Sequence, residues 1–175
     1  MRVARAIIAI AIGFLLGMIV TGAGDPIPRT TPVRGEDYNK IAQDYTKGWE
    51  QLRLKAYKDN TRYSIGYGNE SYQGEEITKK EADRRFYAYW DANIPSLKKY
   101  TSSKGQYVAL ADTLYNKGGN VDRFLSQGKI DCEKIGKMDY INAKYYAGVK
   151  NRRVLNYKLC TGEIEWHESL KRDIK

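Results

Sequence analysis

Trp49-Glu50-Gln51-Leu52-Arg53-Leu54-Lys55-Ala56-Tyr57-Lys58-Asp59, followed three residues later by Tyr63-Ser64-Ile65-Gly66-Tyr67-Gly68, is the stretch on which the reading of this chain turns. Upstream of it, Tyr38, Ile41, Tyr45 and Trp49 recur at helical spacing, which predicts an amphipathic helix from Glu36 to about Trp49. Leu54 to Tyr57 and Tyr63 to Tyr67 read as short strands, and the turn residues of Lys58 to Arg62 make them a hairpin. Glu50 thus ends a helix, and Asp59, nine residues on, lies at the hairpin turn. A reversal between them would bring two carboxyl groups in unlike surroundings to one cleft.

Outward from the hairpin the chain is mostly helical. Gly68-Asn69-Glu70 and Gln73-Gly74 read as turns. Thr78-Lys79-Lys80-Glu81 has the form of a capping box and predicts a long helix to about Lys99, with Ala82, Phe86, Tyr89, Trp90 and Ile94 inward. Gln106 to Asn116 is a second helix, stopped by Gly118-Gly119. Val121 to Leu125, Tyr140 to Tyr146, Asn151 to Cys160 and Ile164 to Leu170 are shorter helical candidates. A small hairpin lobe between a first helix and a helical body is an α+β pattern.

Composition narrows the partners. The chain has 175 residues, a formal net charge of +9 and 15 tyrosines. The charge favours a polyanionic partner, whether nucleic acid, anionic lipid or cell-wall polymer, and tyrosines stack on sugars and bases alike. Ala6 to Gly24 holds no charge and is long enough to cross a bilayer as a helix. Arg2 and Arg5 before it place the N-terminus inside and the rest of the chain outside. A permanent anchor and a cleavable signal peptide, with small residues at Thr21 to Gly24, both fit. Asp25 to Gly35, with three prolines, reads as a linker, leaving residues 36–175 as the domain. Cys132 and Cys160 are the only cysteines, and export favours a bridge over two buried thiols.

Hydrolysis of a glycosidic bond needs a proton donor to the leaving oxygen and a carboxylate that activates water or stabilises the cationic sugar. Glu50 suits the donor: it follows apolar Trp49 at a helix C-terminus, and both burial and the helix dipole favour its protonated form. Asp59 sits in a polar turn and suits the second role. Ser64 offers a hydroxyl to hold the water. With 21 acids in the chain, a pair at this spacing also arises by chance, so the motif around it has to decide.

That motif resembles the active-site region of the phage-type lysozymes, glycoside hydrolase family 24: Glu, Asp nine residues later, a Thr on the next strand, then a Gly-x-Gly turn. Ala109 to Gly119 resembles the family's helix and glycine turn at the cleft floor. Gly148 to Arg153 with Leu159-Cys160-Thr161-Gly162 resembles its C-terminal signature. The resemblance implies a lysozyme-like α+β fold and a muramidase that needs no metal or cofactor. It makes Glu50 the general acid, Asp59 the second carboxylate, Ser64 the replacement for Thr, Asn116 a substrate-contacting amide and Arg152 the partner of Glu50. Pairing with Arg152 would lower the Glu50 pKa, against burial. Two departures stand out: Ser64 lies five residues after Asp59 rather than six, and Asn69 replaces a common His. The spacing of Cys132 and Cys160 resembles a structural pair in some members.

An apolar, Gly- and Ala-rich leader on such a domain resembles the signal-arrest-release endolysins. The resemblance implies a domain tethered at the inner membrane through residues 6–24, then released into the periplasm as a monomer to cleave peptidoglycan and lyse the host. No cysteine lies between Met1 and Gly24, so activation by disulfide exchange within the leader is excluded. The competing functions are a lytic transglycosylase, an inactive wall-binding module and a nucleic-acid-binding protein, the last opposed by export.

Overall fold

The expected hairpin forms, separated from the first helix by two residues. The computed structural model describes residues 37–94, 96–136 and 146–167. Helix α1, Tyr38–Glu50, is capped by the Asp37 carboxylate, which accepts the N–H groups of Asn39 and Lys40 at 3.0 and 3.2 Å. Strands β1, Arg53–Asp59, and β2, Arg62–Gly66, pair antiparallel through a turn at Asn60 and Thr61. Asn60 takes φ 55°, a left-handed conformation that Asn tolerates. A third strand, β3, Asn69–Ser71, extends the sheet in the order β1-β2-β3. The sequence reads this segment as turn because Asn, Glu and Ser have weak strand propensity; the free edge of β2 supplies the pairing.

Helix α2, Lys79–Asn93, begins as expected, with Thr78 Oγ1 accepting the Glu81 N–H at 3.2 Å. The return arm of the capping box does not form. The Glu81 carboxylate instead accepts from Arg84 and Arg85 at 2.7–2.9 Å, charge-assisted bonds that outcompete a neutral N–H. The helix stops six residues short of Lys99. Ile94 precedes Pro95 and is extended, φ −103° and ψ 100°, where helical geometry is disfavoured.

Helix α3, Lys104–Lys117, is the axis of the domain. Every residue from Tyr107 to Leu114 is buried, and the helix packs between α1 and α5, Tyr146–Thr161. The approach of α5 is close: a Cβ on Gly105 would lie 2.3 Å from the Leu159 carbonyl oxygen. Between them come a 3₁₀ turn, Val121–Phe124, a two-strand ribbon of β4, Leu125–Ser126, and β5, Lys129–Ile130, and helix α4, Cys132–Gly136. The ribbon and α4 have no sequence signal strong enough to read.

Cys132 and Cys160 are bonded, joining α4 to the end of α5. The helix expected over Ile164 to Leu170 does not form in its described part. Gly162, at φ 80°, ends α5, and Ile164 to His167 run on without helix, Trp166 packing edge-on against Tyr45 at 5.1 Å. His167 is exposed. The expected anchor, the linker, most of the helix expected from Tyr140 and residues 168–175 lie outside the described residues. Among the described residues no helix is long and apolar enough to cross a membrane.

Candidate active site

Three helices and the sheet deliver the site, each with residues its periodicity fixes. On α1, Tyr45, Thr46 and Glu50 follow one another around the turn that faces α3 and α5. On α3 the corresponding residues are Asp112, Thr113 and Asn116, and on α5 they are Arg152, Arg153 and Asn156. At the end of α1 the chain reverses at Gln51, a non-glycine residue at φ 50°, which leaves Glu50 pointing back toward the helices as β1 departs.

Glu50 is held on two sides. Arg152 Nη1 donates to Glu50 Oε1 at 2.7 Å. Gly68 covers the other oxygen: at φ 86° it lies in the region glycine favours, and a Cβ there would sit 3.2 Å from Glu50 Oε2. The Gly-x-Gly turn of the motif therefore has a direct physical purpose at Gly68, close approach to the carboxyl. The Glu50 side chain keeps 17% of its exposure, so one edge still meets solvent.

Behind Glu50 lies a buried polar chain. Arg152 gives its Nε and Nη2 to Asp112 at 2.9 and 2.7 Å. Asp112 also accepts from Thr46 Oγ1 at 2.9 Å and Asn156 Nδ2 at 2.7 Å. Tyr45 donates to Asn156 Oδ1 at 2.7 Å. Arg153 donates to Thr113 at 3.0 Å and to Asn116 Oδ1 at 2.8 Å. The second of these occupies the Asn116 oxygen, so its amide NH₂ is the group left to meet a ligand. Arg152 is thus no surface arginine: its side chain is 6% exposed.

The sheet supplies the facing wall. Tyr57 pairs with Ser64 and Asp59 with Arg62 across the hairpin, and Ser64 pairs with Glu70 on β3. Cross-strand partners share a sheet face, and so do residues two apart on a strand. Asp59, Arg62, Ser64 and Glu70 therefore project together, and all four line one cleft of about 380 Å³. Gly68 joins it from the turn, Asn69 from the start of β3, and Tyr89 and the stretch from Tyr115 to Gly118 from the helices. The two-residue turn is what keeps Ser64 beside Asp59 despite the shortened spacing. Ser64 is buried at 3% exposure, and Tyr115 donates to the Tyr67 carbonyl at 2.8 Å, tying α3 to the sheet.

Electrostatics separates the carboxyl groups. Burial raises the Glu50 pKa; Arg152 opposes through charge and hydrogen bond, and Asp112 and Asp59 reinforce the rise, which prevails. For Asp112 the balance is reversed: burial pushes its pKa up, but Arg152, Asn156 and Thr46 outweigh it and hold it low. Desolvation works against the Arg152 charge, yet Asp112 first and Glu50 second outweigh it and raise the Arg152 pKa. A carboxyl with a raised pKa set against Gly68, and a second carboxyl lining the cleft that Gly68 borders, can give a proton to a bound molecule and assist water on it.

Of the site residues named from sequence, Asp59, Ser64 and Asn116 line the cleft, while Glu50, paired with Arg152, meets it at Gly68. The disulfide lies two turns farther along α5. Sequence reading missed Asp112, Thr46, Asn156, Tyr45 and Arg153. One signal was available: Asp112-Thr113 interrupts an otherwise apolar helix run, and a charge in such a run is buried only when paired.

Comparison with known proteins adds a family and a fold. Residues 47–155 match the model of the phage lysozyme family. No curated protein matches. Among solved structures, an endolysin from Escherichia coli O157:H7 phage FAHEc1 is similar at a TM-score of 0.56 and 20% identity, over 76% of this chain and 98% of that one. The muramidase domain of SpmX from Asticaccaulis excentricus is similar at 0.52 and 19%, over 71% and 97%. At these identities the two structures establish a shared lysozyme-like fold.

Proposed function

We propose, for a chain that belongs to the phage lysozyme family, that it is an endolysin hydrolysing the β-1,4 bond between N-acetylmuramic acid and N-acetylglucosamine in peptidoglycan. The observation that carries the reading is the division of labour at the cleft. Glu50 is a partly buried carboxyl with a raised pKa set against Gly68, and Asp59 and Ser64 line the cleft that Gly68 also borders.

Glu50 donates its proton to the glycosidic oxygen as the bond breaks. The sugar develops positive charge, which the Asp59 carboxylate stabilises. Asp59 takes a proton from water while the Ser64 hydroxyl positions it, and the hydroxide adds to the anomeric carbon. Asn116 presents its NH₂ to substrate acetamido or hydroxyl oxygens. Tyr89 and Tyr115 line the same cleft and suit the faces of sugar rings. The net charge of +9 draws the enzyme to the carboxylates of the wall. The presence of Asp59 in the cleft favours hydrolysis over transglycosylation, which needs no activated water. Residues 6–24 tether the chain at the inner membrane with residues 36–175 in the periplasm, and release as a monomer frees it to lyse the host.

A zymogram against purified peptidoglycan tests the assignment. The native chain clears the gel and Glu50→Gln does not; clearing by both alike would remove Glu50 from the mechanism. For the tether, full-length protein moves from membrane to soluble fraction at unchanged mass, whereas loss of about 24 residues' mass would indicate cleavage of a signal peptide.

A further inference from the structure

Asp112 is the one acid of the site with no exposure and no access to substrate. Its two oxygens accept four donors, Arg152 Nε and Nη2, Thr46 Oγ1 and Asn156 Nδ2, which satisfies a carboxylate fully. Arg152 is left with Nη1 for Glu50. With Asp112 negative and Arg152 positive, the cluster is neutral when Glu50 holds a proton and carries one negative charge when it does not. An uncharged residue at position 112 would reverse this: the cluster would be neutral only with Glu50 ionised. Out of water the neutral arrangement is strongly preferred. The other charges facing the cluster do not alter the count. Arg153 on α5 adds one positive charge and Asp59 on β1 one negative, and the Tyr45, Tyr57 and Tyr115 phenols are neutral.

We propose that Asp112 is a positioning residue whose fixed negative charge, clamped on Arg152, is what allows Glu50 to be both held by an arginine and kept protonated as the acid. An arginine alone would orient Glu50 at the expense of its proton; an arginine shared with a buried aspartate orients it without taking the proton away. The inference rests on the acid role of Glu50 and adds the source of its protonation.

The test is Asp112→Asn in the full chain, with activity on peptidoglycan followed against pH. The alkaline limb, where Glu50 loses its proton, falls by about one pH unit. Thr46→Val, which removes a hydrogen bond from Asp112 but no charge, leaves the limb in place; an equal fall there would make the effect structural and overturn the proposal. Where circular dichroism shows Asp112→Asn unfolded, Asp112→Ser takes its place: it removes the same charge, and its small hydroxyl puts no amide donor against Arg152. Its limb also falls; a limb at the native position in either folded variant overturns the proposal. Carbon-13 titration of the Glu50 carboxyl reads the same quantity without activity. Activity surviving Glu50→Gln would sink the acid role, while the titration would still decide whether Asp112 sets the Glu50 proton.

Discussion

Replacing Gly68 by Ala combines two costs that a control substitution separates. Gly68 stands at φ 86°, and the added Cβ would lie 3.2 Å from Glu50 Oε2. The left-handed backbone costs an L-residue about 1–2 kcal/mol, a fall of roughly 4–8 °C in melting temperature for a domain of this size. The contact is closer than the usual carbon separation of about 3.5–4.0 Å, so the carboxyl must move by a few tenths of an ångström. That strains its 2.7 Å bond from Arg152. A misplacement of about 1 Å costs on the order of 100-fold in rate, so a shift of this size predicts about tenfold. Gly74 is the control: it stands at φ 84° with nothing within 4 Å of an added Cβ. Gly74→Ala should lose similar stability and keep its rate. Thermal melts and turnover on soluble glycan strands measure both. Equal kcat in the two variants would refute the view that Gly68 is glycine for the sake of the Glu50 carboxyl.

Arg152→Met leaves Asp112 buried without its counter-charge and should cost about 3–5 kcal/mol in urea unfolding; a loss below 1 kcal/mol would mean that the buried chain is not a structural unit. Opening the Cys132–Cys160 bridge by a double Ser substitution removes a loop closure over a sequence separation of 28. That should lower stability by about 3.5 kcal/mol and the melting temperature by about 12 °C, with activity at room temperature retained. Asp83 is held down to about 2 by hydrogen bonds from Lys47 and Lys79. Its depressed pKa gives stability that is complete above the ordinary carboxylate range and lost as pH falls through about 2, so Asp83→Asn should flatten the fall of melting temperature below pH 4. An unchanged acid profile would exclude the Lys47–Asp83 tie between α1 and α2.

The legible parts of this chain are those whose signal is local. The helix before Glu50, the hairpin, the Thr78 cap and the glycine stop at Gly118 each rest on a few adjacent residues, and each forms. β3 and the β4-β5 ribbon did not announce themselves, because their residues have little strand propensity and gain it from a neighbour's edge. The end of α2 was set by Pro95, whose effect on Ile94 outweighs the continuing apolar spacing. In the candidate site, Glu50, Asp59 and Ser64 could be nominated together because they fall on one motif. Asp112 and Asn156 were not: their partners lie 40 and 44 residues away, from Arg152 and to Asp112 respectively, and no local pattern links them. The direction of the Glu50 pKa was also beyond the sequence. Burial and Arg152 oppose each other there, and how deeply the carboxyl is buried and which further charges lie near it are set only by the fold.

The central claim is that two carboxyl groups, Glu50 and Asp59, cleave the glycan with water. Digestion of peptidoglycan in heavy-oxygen water by the native chain, with mass analysis of the new ends, tests it most directly. The account predicts reducing muramic acid ends that carry one heavy oxygen, abolished in Glu50→Gln and strongly reduced in Asp59→Asn. Anhydromuramic ends without label would contradict it.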